Sequence, residues 1–264
     1  MRFLIHFIAY ALFLKKHEPK FLKYQGYEEK RVIRWFFKTP LPFFTKLKIL
    51  EKIEMFDSIR IRTMIRDYIN NHIDLFIGDK TFITSFGDAG KSGSVILYEF
   101  NHSNISNRIN IINPWEIPKL PAGSNIIFVD DIIGTGKQST TYINEQLNLI
   151  LNPSHNIIIF ALIVTEQGLN YTLSETNAEI YHVLMLKNDD HVAYSPECHF
   201  FSQQEKDNLQ GLNKQLHSRR DYDQGLLISF FYSVPNNSMP ILWKDKYRFK
   251  NTTWTALLPR KYGA

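Results

Sequence analysis

The chain has 264 residues, of which 44% are hydrophobic and 22% are charged, an ordinary balance for a globular protein of one large domain, with or without a small appended lobe. Its 31 basic and 26 acidic residues leave a net charge of +5, which suits an anionic ligand or nucleic acid but identifies neither. The one cysteine, Cys198, excludes an intrachain disulfide, so a cytoplasmic location is expected.

The first 14 residues form an apolar run, MRFLIHFIAYALFL. A run of this length is too short to span a bilayer. His6 interrupts it, and no small-residue cleavage site follows before Lys15. We therefore predict a buried helix or a helix that docks a partner, and we expect no stable membrane insertion. A membrane anchor is the less favoured alternative.

Residues 1–77 are predicted to form an N-terminal helical region. Apolar side chains recur at helical spacing between Phe43 and Ile77, after a break at residues 39–42. Basic residues precede that break: Lys15, Lys16, Lys20, Lys23, Lys30, Arg31 and Arg34. Nucleic-acid binding is one explanation for them, but a solvated basic face is the favoured one.

From Lys80 onward, strand-like and helix-like segments alternate. Strands are predicted at residues 81–86, 126–129, 156–164 and 179–186, and helices at residues 94–100, 137–150 and 166–176. This alternation predicts an α/β fold with a mostly parallel, doubly wound sheet. A further strand at residues 226–233 leads into an aromatic, proline-punctuated tail, which we predict to form a lobe over the sheet. We therefore divide the chain into residues 1–77 and a second domain, residues 78–264.

The segment IIFVDDIIGTGKQST, residues 126–140, carries the chemistry. A buried strand ends in Asp130 and Asp131, a loop with Gly134 and Gly136 follows, and then a helix begins. Ligands of open α/β sheets bind at the carboxyl ends of strands, and a glycine loop at a helix start offers free amide groups to a phosphate. Two adjacent carboxylates are tolerated where hydroxyl donors or cations meet them, as with a ribose diol or Mg²⁺.

Two other interpretations of this segment are alternatives to phosphate binding. A Walker-type P-loop requires a glycine five residues before its final glycine, and Ser or Thr directly after its lysine. Those positions hold Asp131 and Gln138, so the P-loop is rejected. A structural turn with incidental acids is the weaker alternative, because a turn needs fewer of these residue types.

The run from Val129 to Gly136 resembles the signature of type I phosphoribosyltransferases. With its flanking residues the motif spans residues 126–139, and the resemblance implies that Asp130 and Asp131 hold the 2′- and 3′-hydroxyls of ribose. It also implies that a continuous loop binds the 5′-phosphate, formed by Ile133, Gly134, Thr135, Gly136, Lys137 and Gln138. Lys137 and Gln138 depart from the common pattern, in which small or hydroxyl residues follow the glycine.

The loop at residues 86–93, FGDAGKSG, is similar to the pyrophosphate loop of the same family. The resemblance implies that Asp88, Lys91 and Ser92 lie at the diphosphate, with Mg²⁺ as the cofactor. The metal would meet Asp130 and Asp131 indirectly, through the substrate. A plain solvent loop is an equally weighted alternative for this segment.

The tail at residues 234–243 and 254–260 resembles the C-terminus of phosphoribosyltransferase-like effectors of bacterial conflict systems, in which GTGKQ is also usual. The resemblance implies a hood in which Asn236, Asn237 and Arg260 meet substrate. The two asparagines have two alternative roles, recognition of a base by their side chains or formation of a turn. For Arg260 the alternatives are binding of an anion and a surface salt bridge. The expected role of Trp243 and Trp254 is aromatic packing.

The resemblance implies an enzyme that binds 5-phosphoribosyl pyrophosphate or a related nucleotide and transfers the phosphoribosyl group. It further implies the toxic arm of an anti-phage defence system, such as a retron, that a protein partner holds in check. Two alternatives stay open: a catalytically inactive nucleotide-binding regulatory module, and a nucleic-acid-binding component.

Overall fold

The computed structural model describes residues 11, 15–88, 90–103, 109–189, 192–216, 222–244, 248–249, 252–253 and 255–260. These residues fall into two compact units. One is residues 58–186, here called the sheet unit, and the other combines residues up to Asp57 with those from Lys187 onward, here called the terminal unit. The sequence-based boundary at residue 78 stays a prediction about domains. The expected role of the first 14 residues lies outside the described chain except at position 11.

The helices and strands are numbered in chain order. The helices are α1 (Glu29–Lys38), α2 (Phe43–Lys52), α3 (Ser58–Asn71), α4 (Ser92–Asn101), α5 (Lys137–Tyr142), α6 (Asn148–Ile150), α7 (Glu166–Glu175), α8 (Gln203–Leu216) and α9 (Pro240–Trp243). The strands are β1 (Glu54–Phe56), β2 (Thr81–Ser85), β3 (Asn110–Ile111), β4 (Asn125–Ile133), β5 (Asn156–Thr165), β6 (Glu179–Leu186), β7 (Ile228–Phe230), β8 (Arg248–Phe249) and β9 (Thr252–Thr253). A π-helical segment, Ile143–Leu147, joins α5 to α6.

The sheet unit contains a five-stranded sheet of order β3-β2-β4-β5-β6 in which all strands are parallel. Ser85 pairs with Val129, and Ile133 pairs with Val164. The carboxyl ends of β2, β4 and β5 therefore lie side by side at one edge of the sheet. The predicted α/β class, a parallel sheet flanked by helices, is confirmed.

The two central strands are buried because they are almost continuously apolar. Residues 158–165 of β5 are all buried, as expected for a strand covered on both faces. Phe128 and Ile159 from the strands pack with Ile143 and Leu147 from the helical segment that follows β4. Burying each such side chain contributes about 2 kcal/mol relative to leaving it in water. This packing holds the residues that follow β4 against the sheet.

The terminal unit has its own apolar core, formed by aromatic and aliphatic side chains of α1, α2 and the C-terminal segment. Trp35 is fully buried and its Nε1 donates a hydrogen bond to the backbone oxygen of Ile241 at 2.9 Å. Trp243 is also buried, and its Nε1 donates to the oxygen of Ser238 at 3.0 Å. The expected packing role of Trp243 is therefore observed, whereas Trp254 lies outside the described residues.

The helical pattern predicted for residues 43–77 is interrupted by β1, which pairs in parallel with β7. Met55 and Phe56 are buried, and the rings of Phe56 and Phe230 lie 5.5 Å apart. The local spacing suits a helix, but a partner strand far along the chain overrides it. The same pairing limits the strand predicted at residues 226–233 to Ile228–Phe230.

No helix within the described ranges combines the length and the apolar character needed to cross a membrane.

Candidate functional site

The candidate site is assembled at the carboxyl edge of the sheet, where β2 and β4 end next to each other. The backbone N–H of Phe86 donates to the oxygen of Val129 at 2.9 Å. This bond continues the pairing one residue past β2, so the loop that starts at Gly87 begins beside Asp130. Two loops that are far apart in sequence are thus brought to one edge.

The acid pair at the end of β4 is buried, with Asp130 5% exposed and Asp131 7% exposed. The Oδ1 atom of Asp130 accepts hydrogen bonds from the Ser92 hydroxyl and from the backbone N–H of Asp131, both at 2.9 Å. Oδ1 of Asp131 accepts from the N–H of Ile132 at 2.8 Å. The acids are thus held by backbone and hydroxyl donors.

The pKa of Asp130 is raised well above its ordinary value, first because the carboxyl is buried and second because the charge of Asp131 lies next to it. The hydrogen bonds from the Asp131 amide and Ser92 act in the opposite direction. A buried carboxyl with this bias gains from further hydroxyl donors. A vicinal diol, such as that of ribose, supplies two of them.

The glycine loop follows directly. Gly134, Thr135 and Gly136 are buried, whereas Lys137 and Gln138 are exposed. Gly136 has a φ of 77°, a conformation that favours glycine, and its oxygen accepts from the N–H of Thr140 at 2.9 Å as α5 begins. The loop has the backbone form expected of an anion cradle.

Ile133 differs from the other residues predicted to bind phosphate. It is the last residue of β4, it is 1% exposed, and its side chain belongs to the apolar core of the sheet unit. Its contribution to an anion site is therefore restricted to its backbone.

The second predicted loop lies between β2 and α4. Asp88 and Lys91 are exposed, and the N–H of Lys91 donates to the oxygen of Asp88 at 3.1 Å, which closes a turn. A Cβ atom at Gly93 would lie 2.3 Å from the oxygen of Phe86. The start of α4 is therefore pressed directly against the strand end, which brings Ser92 to Asp130.

Tyr142 is a contact residue that the sequence did not indicate. Its ring centroid lies 4.6 Å from that of Phe86, the residue that precedes the second loop. Burial, and then the nearby charge of Asp88, raise the pKa of Tyr142. Tyr142 thus joins the helix after the glycine loop to the second loop. Only the adjacency of β2 and β4 creates this contact, so periodicity along α5 could not reveal it.

The predicted hood residues Asn236, Asn237 and Arg260 lie in the terminal unit. The guanidinium of Arg260 stacks 3.8 Å from the Trp243 ring, and its Nε donates to the oxygen of Val234 at 2.7 Å. Arg260 also donates to the side-chain oxygen of Asn236. Asn237 donates to the oxygen of Tyr222 at 3.0 Å. These contacts order the tail, and a substrate role for the three residues stays a prediction.

Several basic residues of the N-terminal helices make contacts within the terminal unit. Lys20 donates to the oxygens of Glu51 and Ile53 at 2.8 and 3.1 Å. Lys23 lies 2.5 Å from a carboxylate oxygen of Asp57. These lysines support the fold, which favours the interpretation as an ordinary basic surface.

The side chains at the sheet edge offer the kind of oxygen atoms that Mg²⁺ requires. Mg²⁺ prefers oxygen ligands and is usually bound by one or two carboxylates together with substrate phosphates and water. Asp130 and Asp131 supply carboxylate oxygens of this kind. Among the described residues, no cluster of three or more His, Cys, Asp or Glu side chains could hold a metal. Asp130 and Asp131 therefore fit a Mg²⁺ ion that is bound mainly by oxygen atoms of the substrate.

A parallel sheet that carries a buried acid pair and a glycine loop at the end of its central strand defines a phosphoribosyltransferase-like protein. The model of the PRTase-CE family matches residues 32–260, and the chain belongs to this family. The match covers most of α1 in the terminal unit as well as the whole sheet unit, and it confirms the phosphoribosyltransferase-like part of the resemblance.

Solved phosphoribosyltransferases are similar to parts of the chain. A hypoxanthine-guanine-xanthine phosphoribosyltransferase is 14% identical, with 50% of this chain and 76% of that chain covered and a TM-score of 0.34. The orotate phosphoribosyltransferase from Aeropyrum pernix is 14% identical over 48% and 70%, with a TM-score of 0.33. A hypoxanthine-guanine phosphoribosyltransferase from Bacillus anthracis is 14% identical over 50% and 80%, with a TM-score of 0.35. A comparison with curated proteins finds no match.

Proposed function

We propose that this protein binds 5-phosphoribosyl pyrophosphate, or a related nucleotide, and transfers its phosphoribosyl group to an acceptor. The observation that carries the proposal is the Asp130 carboxyl, which is buried, lies beside Asp131 and is held by Ser92 at 2.9 Å. The Ser92 contact joins the acid pair to the second loop. Membership of the PRTase-CE family supports this assignment.

In this proposal each loop holds one part of the substrate. The carboxylates of Asp130 and Asp131 accept hydrogen bonds from the ribose 2′- and 3′-hydroxyls. The backbone amides between Ile133 and Gln138 surround the 5′-phosphate, and Lys137 adds a positive charge at the loop's exposed side. The second loop, with Asp88, Lys91 and Ser92, meets the diphosphate.

The reaction breaks the bond between C1′ and the pyrophosphate oxygen, and it forms a bond between C1′ and an acceptor nitrogen. Pyrophosphate leaves with the bonding electrons, and the acceptor nitrogen loses its proton to solvent. Lys91 and the amides around it stabilise the negative charge on the departing group, and the acid pair stabilises the positive charge that builds on the ribose ring. Mg²⁺, when bound, would neutralise part of the diphosphate charge.

We further propose that the protein is the toxic arm of an anti-phage defence system and that a protein partner restrains it in the cytoplasm. The support is the resemblance of residues 234–243 to the tail of such effectors, together with the GTGKQ sequence of the glycine loop. Depletion of a phosphoribosyl donor, or modification of a cellular acceptor, would explain toxicity.

The proposal is tested with the full chain in which Asp130→Asn and Asp131→Asn are combined. Calorimetry with 5-phosphoribosyl pyrophosphate and Mg²⁺ should show binding to the wild-type protein and a loss of at least about 100-fold in the variant, because both diol acceptors lose their charge. Pyrophosphate release and toxicity on expression should be lost as well. The matched control combines Asp67→Asn with Asp74→Asn, two exposed acids of the same unit.

Each alternative gives a different result in the same experiment. Binding without pyrophosphate release by the wild-type protein would identify a regulatory module. Toxicity that persists unchanged in the Asp130→Asn, Asp131→Asn variant would contradict a catalytic role for the acid pair.

A further inference from the structure

The glycine loop is attached to the next strand and helix by contacts that the motif itself does not contain. Thr165, the last residue of β5, is 2% exposed, and its hydroxyl donates to the oxygen of Gly134 at 2.6 Å. The same hydroxyl accepts from the N–H of Gly168 at 3.0 Å and so caps α7. One buried hydroxyl therefore fixes both the loop and the first turn of α7.

The two chain segments are also too close for a side chain to fit between them. A Cβ atom at Gly168 would lie 2.0 Å from the oxygen of Gly134 and 2.6 Å from the oxygen of Ile133. A Cβ atom at Gly136 would lie 2.8 Å from the oxygen of Gly168 and from the hydroxyl of Thr172. The atoms that a Cβ at Gly168 would meet all belong to the backbone, so they cannot yield as a flexible side chain would.

We propose that Thr165 and Gly168 are positioning residues that hold the glycine loop in the form that binds the 5′-phosphate. The inference rests on the proposed function of that loop. The peptide between Gly134 and Thr135 has its oxygen bonded to Thr165, which turns the N–H of the same peptide away from α7. The orientation of this amide is therefore set by β5 and α7 as well as by the motif.

The role is selective for one part of the substrate. Thr165 and Gly168 lie against Gly134, in the glycine loop, whereas Asp88 and Lys91 belong to the loop between β2 and α4. Disturbing Thr165 or Gly168 should therefore weaken binding of a sugar phosphate while binding of free pyrophosphate is retained. A residue that merely stabilised the fold would affect both ligands equally.

The test measures binding of ribose 5-phosphate and of pyrophosphate with Mg²⁺ to the full chain. Thr165→Val keeps the shape of the side chain but leaves the Gly134 oxygen without its donor, so affinity for ribose 5-phosphate should fall about tenfold. Pyrophosphate affinity should change less than about twofold. Thr165→Ser restores the hydroxyl and should restore ribose 5-phosphate binding.

Gly168→Ala is the stronger variant, and it should reduce ribose 5-phosphate affinity by more than Thr165→Val does. Its matched control is Gly211→Ala in α8, where an added Cβ would meet nothing within 4 Å. Gly211→Ala should leave both affinities unchanged and favour the helix. Equal loss of both ligands in Thr165→Val, or no loss of either, would overturn the inference.

Hydrogen exchange separates this inference from the proposed function. Thr165→Val should speed exchange of the amides at residues 134–138 and leave those of β4 protected, whether or not any ligand binds. If the wild-type protein binds neither ribose 5-phosphate nor pyrophosphate, the proposed function fails, and the exchange rates alone then decide whether Thr165 holds the loop.

Discussion

Two buried acidic sites in the sheet unit have opposite surroundings. Glu99 of α4, 2% exposed, accepts hydrogen bonds from the Ser58 hydroxyl at 2.8 Å and from Nε of Arg62 on α3 at 2.6 Å. Asp130, at the end of β4, lies beside another carboxylate, and no Lys or Arg of the described chain forms a salt bridge with it. Among the residues that the structure describes, a cation is paired with Glu99 and none is paired with Asp130.

The difference agrees with the proposal that Glu99 serves the fold and Asp130 serves a ligand. A buried acid that is paired stabilises the contact between its two helices. A buried acid that lies beside another acid raises the free energy of the protein without its ligand. Such a cost is typical of a functional site, where a bound ligand supplies the missing hydrogen-bond donors. This contrast separates Asp130 from Glu99 although both are hidden from solvent.

The substitution expected to have the largest effect is Asp130→Asn, made as a single change. Asp130→Asn keeps an oxygen that accepts from Ser92 but removes the charge, so affinity for 5-phosphoribosyl pyrophosphate should fall about 100-fold. The free energy of unfolding should rise by ~1–2 kcal/mol, because a buried carboxylate and its repulsion by Asp131 are both removed. Calorimetry and denaturant unfolding near pH 7 measure the two changes. A fall in stability would show that Asp130 supports the fold.

Glu99→Gln should give the reverse pattern. Removing the charge breaks the pair with Arg62, and the loss of unfolding free energy should be about 2 kcal/mol, less than for a fully buried pair because Arg62 is 37% exposed. Affinity for 5-phosphoribosyl pyrophosphate should stay within about twofold. Urea unfolding measures the change, with Asp67→Asn at an exposed acid as the control. Loss of ligand affinity at unchanged stability would contradict the structural role of Glu99.

Asp223 in the terminal unit is a half-buried acid with an intermediate environment. Burial raises its pKa to about 6, and hydrogen bonds from the Gly225 N–H and the Tyr194 hydroxyl partly oppose that rise. Between about pH 4 and pH 6 the folded chain keeps a proton that the unfolded chain has lost. The free energy of unfolding should therefore fall by ~1 kcal/mol or more as the pH rises through this window.

The pH effect of Asp223 is isolated by comparison with a variant. Asp223→Asn should lack this part of the pH dependence. The unfolding free energy of the variant minus that of the wild type should therefore increase from pH 4 to pH 6.5. A difference that is constant over the same range would show that Asp223 has an ordinary pKa in the folded protein.

The central sheet was predictable because its signals are local. The run from Asn156 to Thr165 is apolar enough to require burial on both faces, and its predicted position is confirmed within one residue. β6 was predicted with the bounds it has, Glu179–Leu186. The edge strand β3 was not predicted, since its two residues are exposed and carry no periodic pattern.

The sequence by itself determined the acid pair, the glycine loop and their order along the chain, because strand, turn and helix signals lie within 15 residues of one another. Only the tertiary structure decided what surrounds them. Ser92 and Thr165 reach the motif from neighbouring strands, and β1 replaces a helical pattern because β7 pairs with it. Local preferences act over a few residues, whereas these contacts join segments that meet only when the sheet is complete.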